Sequence, residues 1–124
     1  MEKKYLNELK IAEEFIKVAK DNLDLSLRTS ANRLYFAFEK AVISYLIFKK
    51  IKVPKNHQNI WELCAKFLGE EFYNHLRNLY DLRMQADYGN ISKFVVFNKK
   101  TVGNAVLKSG LLIEKIKKLL EVEI

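Results

Sequence analysis

The chain has 124 residues, a length that fits one domain spanning 1–124. Nearly half of the residues are hydrophobic and only one proline and four glycines interrupt them, so we expect an all-α domain of long helices. The single cysteine excludes an intrachain disulfide and a thiolate metal cluster. The net charge of +7 favours an acidic partner such as RNA, DNA or an acidic protein, although lysine-rich solvated helices give the same total.

No targeting or membrane segment is predicted. The N-terminus is charged (Met-Glu-Lys-Lys) and leads into an amphipathic segment rather than an apolar signal core. The most apolar stretch, 41–48, is too short to span a bilayer, which takes about 20 residues. We therefore expect a cytoplasmic protein with no membrane partner.

Two long helices are predicted in the first half of the chain. The first covers about 4–25 and has one continuous apolar face. Ser30 is the predicted N-cap of the second helix, with Thr29 as the competing cap, and this helix ends near Lys50. Apolar residues cover a wide arc of the second helix, which predicts a central position in the bundle.

The second helix also carries polar candidates close to buried surface. Arg33 and Glu39 are expected to line any site formed there. Glu39 lies one turn from Tyr35, so we expect it to accept the tyrosine hydroxyl only indirectly and to reach a positive group on a neighbouring helix instead.

A short third helix is predicted at about 57–68, with Asn56 as its N-cap after the break at Pro54. His57 is expected to be a capping or surface group. Cys64 is expected to be a small core residue rather than a nucleophile. Trp61 is expected at an edge or an interface.

The fourth helix carries a charge where a core residue is expected. Gly69 is predicted to end the third helix, and the fourth helix ends near Tyr88 with Gly89 at positive φ. One face of this helix consists of residues spaced by four, three, four and three: Phe72, Leu76, Leu79, Arg83 and Ala86. Burying an unpaired guanidinium costs about several kcal/mol of folding free energy, so Arg83 requires a partner.

After the fourth helix, 91–97 is predicted to form an extended loop that packs over the helices. Asn98 is the predicted cap of a fifth helix that ends near Glu121. Its predicted inner face consists of Val102, Val106, Ile113, Ile116 and Leu120. The coarse prediction is an up-and-down bundle of about five helices.

Most known site patterns are missing from the sequence. There is no glycine-rich phosphate loop and no nucleophile elbow. Neither of the two histidines has a partner four residues away or lies in a His-Glu-x-x-His motif, so we expect no cofactor and no metal. The remaining candidate catalytic residues are Arg83, Asp87 and Tyr88. Arg83 and Asp87 share a helix face, and an internal ion pair between them is the alternative explanation for the arginine.

Several short motifs stand in order along the chain. They are Arg-Leu-Tyr-Phe-Ala at 33–37, Pro-Lys-Asn-His at 54–57 and Arg-x-x-Ala-Asp-Tyr-Gly at 83–89. Taken together, over nearly the whole chain, they resemble the HEPN family (higher eukaryotes and prokaryotes nucleotide-binding). The first resembles the signature of its second helix, the second resembles the segment before its third helix, and the last resembles the signature of its small stand-alone branch. The segment 94–97 with the helix after it fits that branch too.

The resemblance implies a helical bundle that is usually a homodimer. Many members are metal-independent ribonucleases that act as toxins beside a minimal nucleotidyltransferase antitoxin. Their catalytic motif is Arg, four to six residues and His, and two copies meet in a cleft between protomers. Arg83 matches that arginine, while Tyr88 stands where the motif has its histidine.

Three functions follow as alternatives. The first is a module that binds a nucleotide, RNA or a nucleotidyltransferase partner as half of a two-component, toxin–antitoxin-like system. Its ligand-binding candidates are Arg83, Tyr88, Arg33, Glu39 and Tyr35. The second is a metal-independent RNase toxin with a rearranged site at Arg83, Asp87 and Tyr88. The third is a purely structural dimeric helical protein in which Arg83 pairs with Asp87 or Glu39.

Overall fold

A computed structural model describes residues 4–89, 92 and 94–122. Within these residues the chain forms five helices and no strand. The helices are α1 (Lys4–Asp21), α2 (Leu27–Phe48), α3 (His57–Leu68), α4 (Glu70–Tyr88) and α5 (Lys99–Val122). The predicted all-α bundle of five helices is confirmed. None of the described helices combines the length and the apolar character needed to cross a membrane.

Helix α2 is the centre of the bundle, as its wide apolar arc predicts. It packs against α1, α4 and α5, while α3 packs mainly against α4. Its fully buried large side chains include Leu34, Tyr35, Phe38 and Leu46. The predicted inner face of α5 is confirmed, because all five of its residues are buried against this core.

The start of α2 differs from the prediction. Ser26 is the N-cap, and its hydroxyl accepts a hydrogen bond from the backbone N–H of Thr29 at 3.2 Å. The predicted cap, Ser30, lies one turn inside the helix, where its buried hydroxyl donates to the carbonyl oxygen of Ala19 at 2.6 Å. The helix begins early because α1 ends at Asp21 and a short turn already reverses the chain.

The predicted end of the first helix near residue 25 is wrong, because α1 ends at Asp21, but the following predicted boundaries are confirmed. Asn56 caps α3, since its side chain accepts from the backbone N–H of Asn59 at 2.8 Å. Gly69 separates α3 from α4, and Gly89 ends α4 at a φ of 69°, in the left-handed region that favours glycine. Asn98 accepts from the backbone N–H of Thr101 at the start of α5.

The segment before α5 packs as predicted where it is described. Val95 and Phe97 lie against the core, whereas Phe94 and Val96 are exposed. Gln85 on α4 donates to the carbonyl oxygen of Val95 at 2.8 Å. This bond fixes the segment over the end of α4. Residues 91 and 93 of the predicted loop lie outside the described residues.

Candidate functional site

The predicted apolar face of α4 is confirmed around Arg83. Phe72, Leu76, Leu79 and Ala86 are all buried. The side chain of Arg83 retains 16% of its exposure, so it lies between the core and the solvent. The arginine is therefore held in an apolar setting without losing its access to a ligand.

Aromatic rings from α2 and α4 surround the guanidinium of Arg83. Its central carbon lies 4.7 Å from the ring centroid of Phe36, 5.7 Å from that of Tyr35 and 5.8 Å from that of Tyr80. We call Tyr35, Phe36 and Tyr80 the aromatic cluster. Cation–π attraction to these rings stabilises the charge and limits where the side chain can lie.

The hydrogen bonds of Arg83 leave most of its donors unused. The Nε–H donates to Oδ2 of Asp87 at 3.2 Å, which confirms an ion pair within the helix. The two terminal amino groups have no hydrogen-bond partner among the residues that the structure describes. A guanidinium with free terminal N–H groups is a planar donor fork that matches phosphate oxygens.

A chain of polar contacts fixes Asp87 from the side of α2. Its Oδ2 also accepts from the amide of Asn32 at 2.9 Å. The Oδ1 of Asn32 in turn accepts from Nε of Arg33 at 2.9 Å and from Nη2 at 2.6 Å. The guanidinium of Arg33 lies 5.7 Å from the ring centroid of Phe36. Arg33 and Arg83 thus adjoin the same ring, as predicted for residues that line one place.

Arg28 adds a third positive group beside this chain. Its Nη1 donates to the carbonyl oxygen of Ala86 at 2.6 Å, where the helix dipole of α4 is negative. Arg28, Thr29, Asn32, Arg33 and Asp87 line a cleft of about 410 Å³. Sequence reasoning missed Arg28 and Asn32, although they lie one turn apart on α2. Placing the helix start at Ser30 left Arg28 outside the helix and hid this spacing.

The predicted relation of Tyr35 to Glu39 is wrong. The Tyr35 hydroxyl donates directly to Oε2 of Glu39 at 2.6 Å. Side chains four residues apart lie one above the other on a helix face, and the long tyrosine side chain covers the remaining distance. Burial, followed by the hydrogen bond to Glu39, raises the pKa of Tyr35 well above its usual range. The hydroxyl therefore keeps its proton and remains a donor.

Of the two roles predicted for His57, the capping role is wrong, whereas its side chain is 38% exposed, as expected of a surface group. Asn56 supplies the cap, while Nδ1 of His57 lies 2.6 Å from Oε2 of Glu39. Glu39 thus meets a group on a neighbouring helix, as predicted. A carboxylate only accepts hydrogen bonds, and the Tyr35 proton is already directed at it, so Nδ1 of His57 carries a proton. This leaves Nε2 of His57, which has no hydrogen-bond partner among the described residues, as the ring nitrogen that is free to contact a ligand.

His57 and Arg83 adjoin the same aromatic cluster. The His57 ring centroid lies 5.5 Å from that of Tyr35, 6.5 Å from that of Phe36 and 5.8 Å from that of Tyr80. Trp61, predicted at an edge or an interface, is buried, and its indole N–H donates to the Tyr35 hydroxyl at 3.1 Å. The cluster therefore holds a carboxylate-oriented imidazole and a guanidinium fork around one set of rings.

Tyr88 is not part of this arrangement. It is 65% exposed and makes no hydrogen bond or ring contact with the described part of the chain. Its position five residues after Arg83 turns it about 140° around the helix, away from the face that carries the arginine. The structure thus brings together Arg83, Asp87, Arg33, Tyr35 and Glu39, but leaves Tyr88 outside.

The remaining reactive groups do not extend the site. Cys64 is fully buried, and burial raises the pKa of its thiol to about 12, which fits the predicted core role. No three histidine, cysteine, aspartate or glutamate side chains are grouped to hold a metal ion within 4–89, 92 and 94–122.

Comparison with known proteins identifies the family. No curated protein matches the chain. A family model described as the HEPN domain matches residues 6–119, which include every residue of the arrangement around Arg83. This match covers well over half of the chain and agrees with its five-helix architecture. The chain belongs to the HEPN domain family.

Proposed function

We propose that this protein binds RNA or a nucleotide through phosphate, with Arg83 as the principal contact. The observation that carries the proposal is the pair of terminal amino groups on Arg83, which have no partner among the described residues although the guanidinium is held by three rings. The same fork geometry that suits a carboxylate suits a phosphate. Membership of the HEPN family fits a module that acts on nucleotides or RNA.

The surroundings of Arg83 support the same function. Arg28 and Arg33 line the adjacent cleft and add positive charge along the path of a backbone. Phe36 and Tyr80 are only half-buried, so part of each ring remains accessible to a nucleobase. Stacking on such a ring contributes about 1–3 kcal/mol per base and tolerates any base.

A purely structural role explains Arg83 less well. The Arg83 and Asp87 side chains are 16% and 25% exposed, and a solvent-accessible pair within one helix contributes only about 0.3–0.5 kcal/mol. The order arginine then aspartate is also the less favourable one at this spacing. Since leucine at this position would bury more apolar surface, the pair alone gives little reason for an arginine.

We extend the proposal to the wider setting of the function on the strength of the family resemblance. We include in the proposal that two copies of the chain form a homodimer and that the module works beside a minimal nucleotidyltransferase, as one half of a toxin–antitoxin-like system in the cytoplasm. The resemblance of residues 83–89 to the signature of the small stand-alone branch supports this part. Co-purification of the two proteins from cells that express both from one operon would test it.

Binding of a short single-stranded RNA tests the role of Arg83. In fluorescence anisotropy with a labelled RNA in the presence of EDTA, we expect Arg83→Ala to weaken binding at least tenfold, since a lost bidentate phosphate contact is worth about 1.5–3 kcal/mol. Arg77→Ala is the matched control, because Arg77 lies on the same helix and packs over Trp61 and Tyr73. Equal loss in both variants would show that only net charge matters.

A second function, metal-independent RNA cleavage, is favoured by one specific observation. His57 is held by Glu39 with its Nε2 free, which is the arrangement of a general base oriented by a carboxylate. This differs from the rearranged site expected from the sequence, because the base comes from α3 rather than from Asp87 or Tyr88.

The reaction would proceed by attack of the neighbouring 2′-hydroxyl. His57 takes the hydroxyl proton, the 2′-oxygen bonds to phosphorus, and the bond from phosphorus to the 5′-oxygen breaks. The 5′-oxygen takes a proton from water, and the proton on His57 neutralises the hydroxide that remains. The products are a 2′,3′-cyclic phosphate and a 5′-hydroxyl. Arg83 stabilises the charge that develops on the phosphate oxygens.

A further inference from the structure

A large groove in the described part of the chain lies between α1 and α5 and shares no residue with the site around Arg83. Its volume is about 1050 Å³, and its floor is mostly apolar, with Ile16 and Leu23 on one side and Val106 on the other. Leu107 and Leu111 stand on its edge, one turn apart on α5, with exposures of 69% and 68%. Two neighbouring leucines this exposed on one helix form an apolar patch of the kind that marks an interaction surface.

Packing within the chain does not require glycine at two positions in this groove. Gly103 and Gly110 lie inside α5, where alanine is the more stable residue. A Cβ added at Gly103 would meet nothing within 4 Å, and one at Gly110 would meet only the Cδ1 of Ile16, at 4.0 Å. They are seven residues apart and so lie on the same side of α5. The missing side chains leave room there for the close approach of another backbone.

Charge determines what can occupy the groove. Lys17, Lys20, Lys99 and Lys100 line it together with a single carboxylate, Glu114. Lys99 pairs with Asp24, whereas Lys17, Lys20 and Lys100 form no ion pair with any residue that the structure describes. A second copy docked by a two-fold axis would set this lysine-lined patch against the same patch, which is repulsive. An acidic partner would instead neutralise them.

The shape of the groove fits a helix. On α5 it extends from Lys99 to Glu114, a length of about 22 Å at 1.5 Å per residue, or about four helical turns. A groove between two helices receives the apolar face of a third, whereas a bilayer surface is flat. We propose that the α1–α5 groove docks an amphipathic helix of an acidic partner protein, with leucine-like side chains against Leu107 and Leu111 and carboxylates against the lysines.

Two synthetic helices test this proposal. The first is an amphipathic peptide of about four turns with leucines on one face and glutamates on its flanks, and the second has lysines in place of the glutamates. In fluorescence anisotropy with the full chain, we expect only the acidic peptide to bind. Leu107→Ser combined with Leu111→Ser should weaken its binding at least tenfold, while Leu25→Ser should not, because Leu25 is an exposed leucine outside the groove.

The glycines give an independent readout. Gly103→Ala with Gly110→Ala should raise the unfolding midpoint by about 6–8 °C and yet weaken binding of the acidic peptide. Equal binding of both peptides, or unchanged binding by the serine double variant, would overturn the proposal. Self-association in sedimentation velocity that the serine variant loses would assign the groove to a second copy. Binding to anionic vesicles that the variant loses would assign it to a membrane.

Discussion

His57→Ala is expected to lower the rate of RNA cleavage at least 100-fold while changing RNA binding by less than about twofold. General acid–base catalysis by a positioned side chain contributes about 10²–10⁴-fold to a rate, and His57 has the free nitrogen that this role needs. Binding should persist, because the proposed phosphate contact is made by Arg83. The measurement is the appearance of the 2′,3′-cyclic phosphate product from a labelled RNA in EDTA.

Two further variants distinguish a catalytic role of His57 from a structural one. Glu39→Gln should lower the rate less than His57→Ala, because glutamine can still accept the Nδ1–H bond but carries no charge to favour the protonated imidazole. Tyr88→Phe should leave the rate unchanged, since Tyr88 lies outside the cluster. Wild-type protein that binds RNA but leaves it intact would remove the cleavage function and leave the binding function standing. Full activity in His57→Ala would assign the chemistry to other residues.

Stability is expected to fall by about 2 kcal/mol between pH 7 and pH 5 because of His75. This residue is buried on α4, with Nε2 at 2.8 Å from Oγ of Ser109 on α5. Burial, with a smaller effect of Lys108, lowers the pKa of His75 to about 4, from an ordinary value near 6.5. As the pH falls, the unfolded chain binds the proton first. The stabilising contribution is therefore complete above about pH 6.5 and is lost progressively towards pH 4.

Urea denaturation at pH 7 and pH 5 checks this expectation. His75→Gln removes the titrating group and should flatten the dependence of the unfolding free energy on pH over this range. Asn78→Ala is the control, as an exposed substitution on the same helix that should keep the wild-type slope. An identical slope in His75→Gln and wild type would show that carboxylates, not His75, cause the loss.

The bundle could be predicted because its signals are local. The apolar period of each helix, the caps at Asn56 and Asn98 and the glycines at 69 and 89 all act within one or two turns. The start of α2 could not be predicted, since Ser26 and Ser30 are equally good capping residues. What distinguishes them is the carbonyl of Ala19, which takes the Ser30 hydroxyl and lies on another helix.

The candidate site also contains some contacts that could be predicted from the sequence and others that could not. The pair of Arg83 with Asp87 was predictable from the spacing of four, and so was the nearness of Arg33. The contacts of Asn32 with Asp87 and of Arg28 with Ala86 join residues more than 50 positions apart. Such contacts depend on which turns of two helices face each other, and helical periodicity leaves this open. The pairing of His57 with Glu39 was missed for the same reason.

The most direct test of the central claim is the side-chain N–H spectrum of Arg83 in ¹⁵N-labelled protein titrated with a short RNA. The Nε–H signal of Arg83 is assigned by its loss in the Arg83→Lys variant. If the guanidinium holds phosphate, the chemical shift of this signal changes on titration, and the change gives the same dissociation constant as overall binding. The terminal amino groups also become protected from hydrogen exchange. The corresponding signal of Arg77 stays in place. RNA binding that saturates while the Arg83 signal is unchanged would contradict the account and place the ligand elsewhere on the surface.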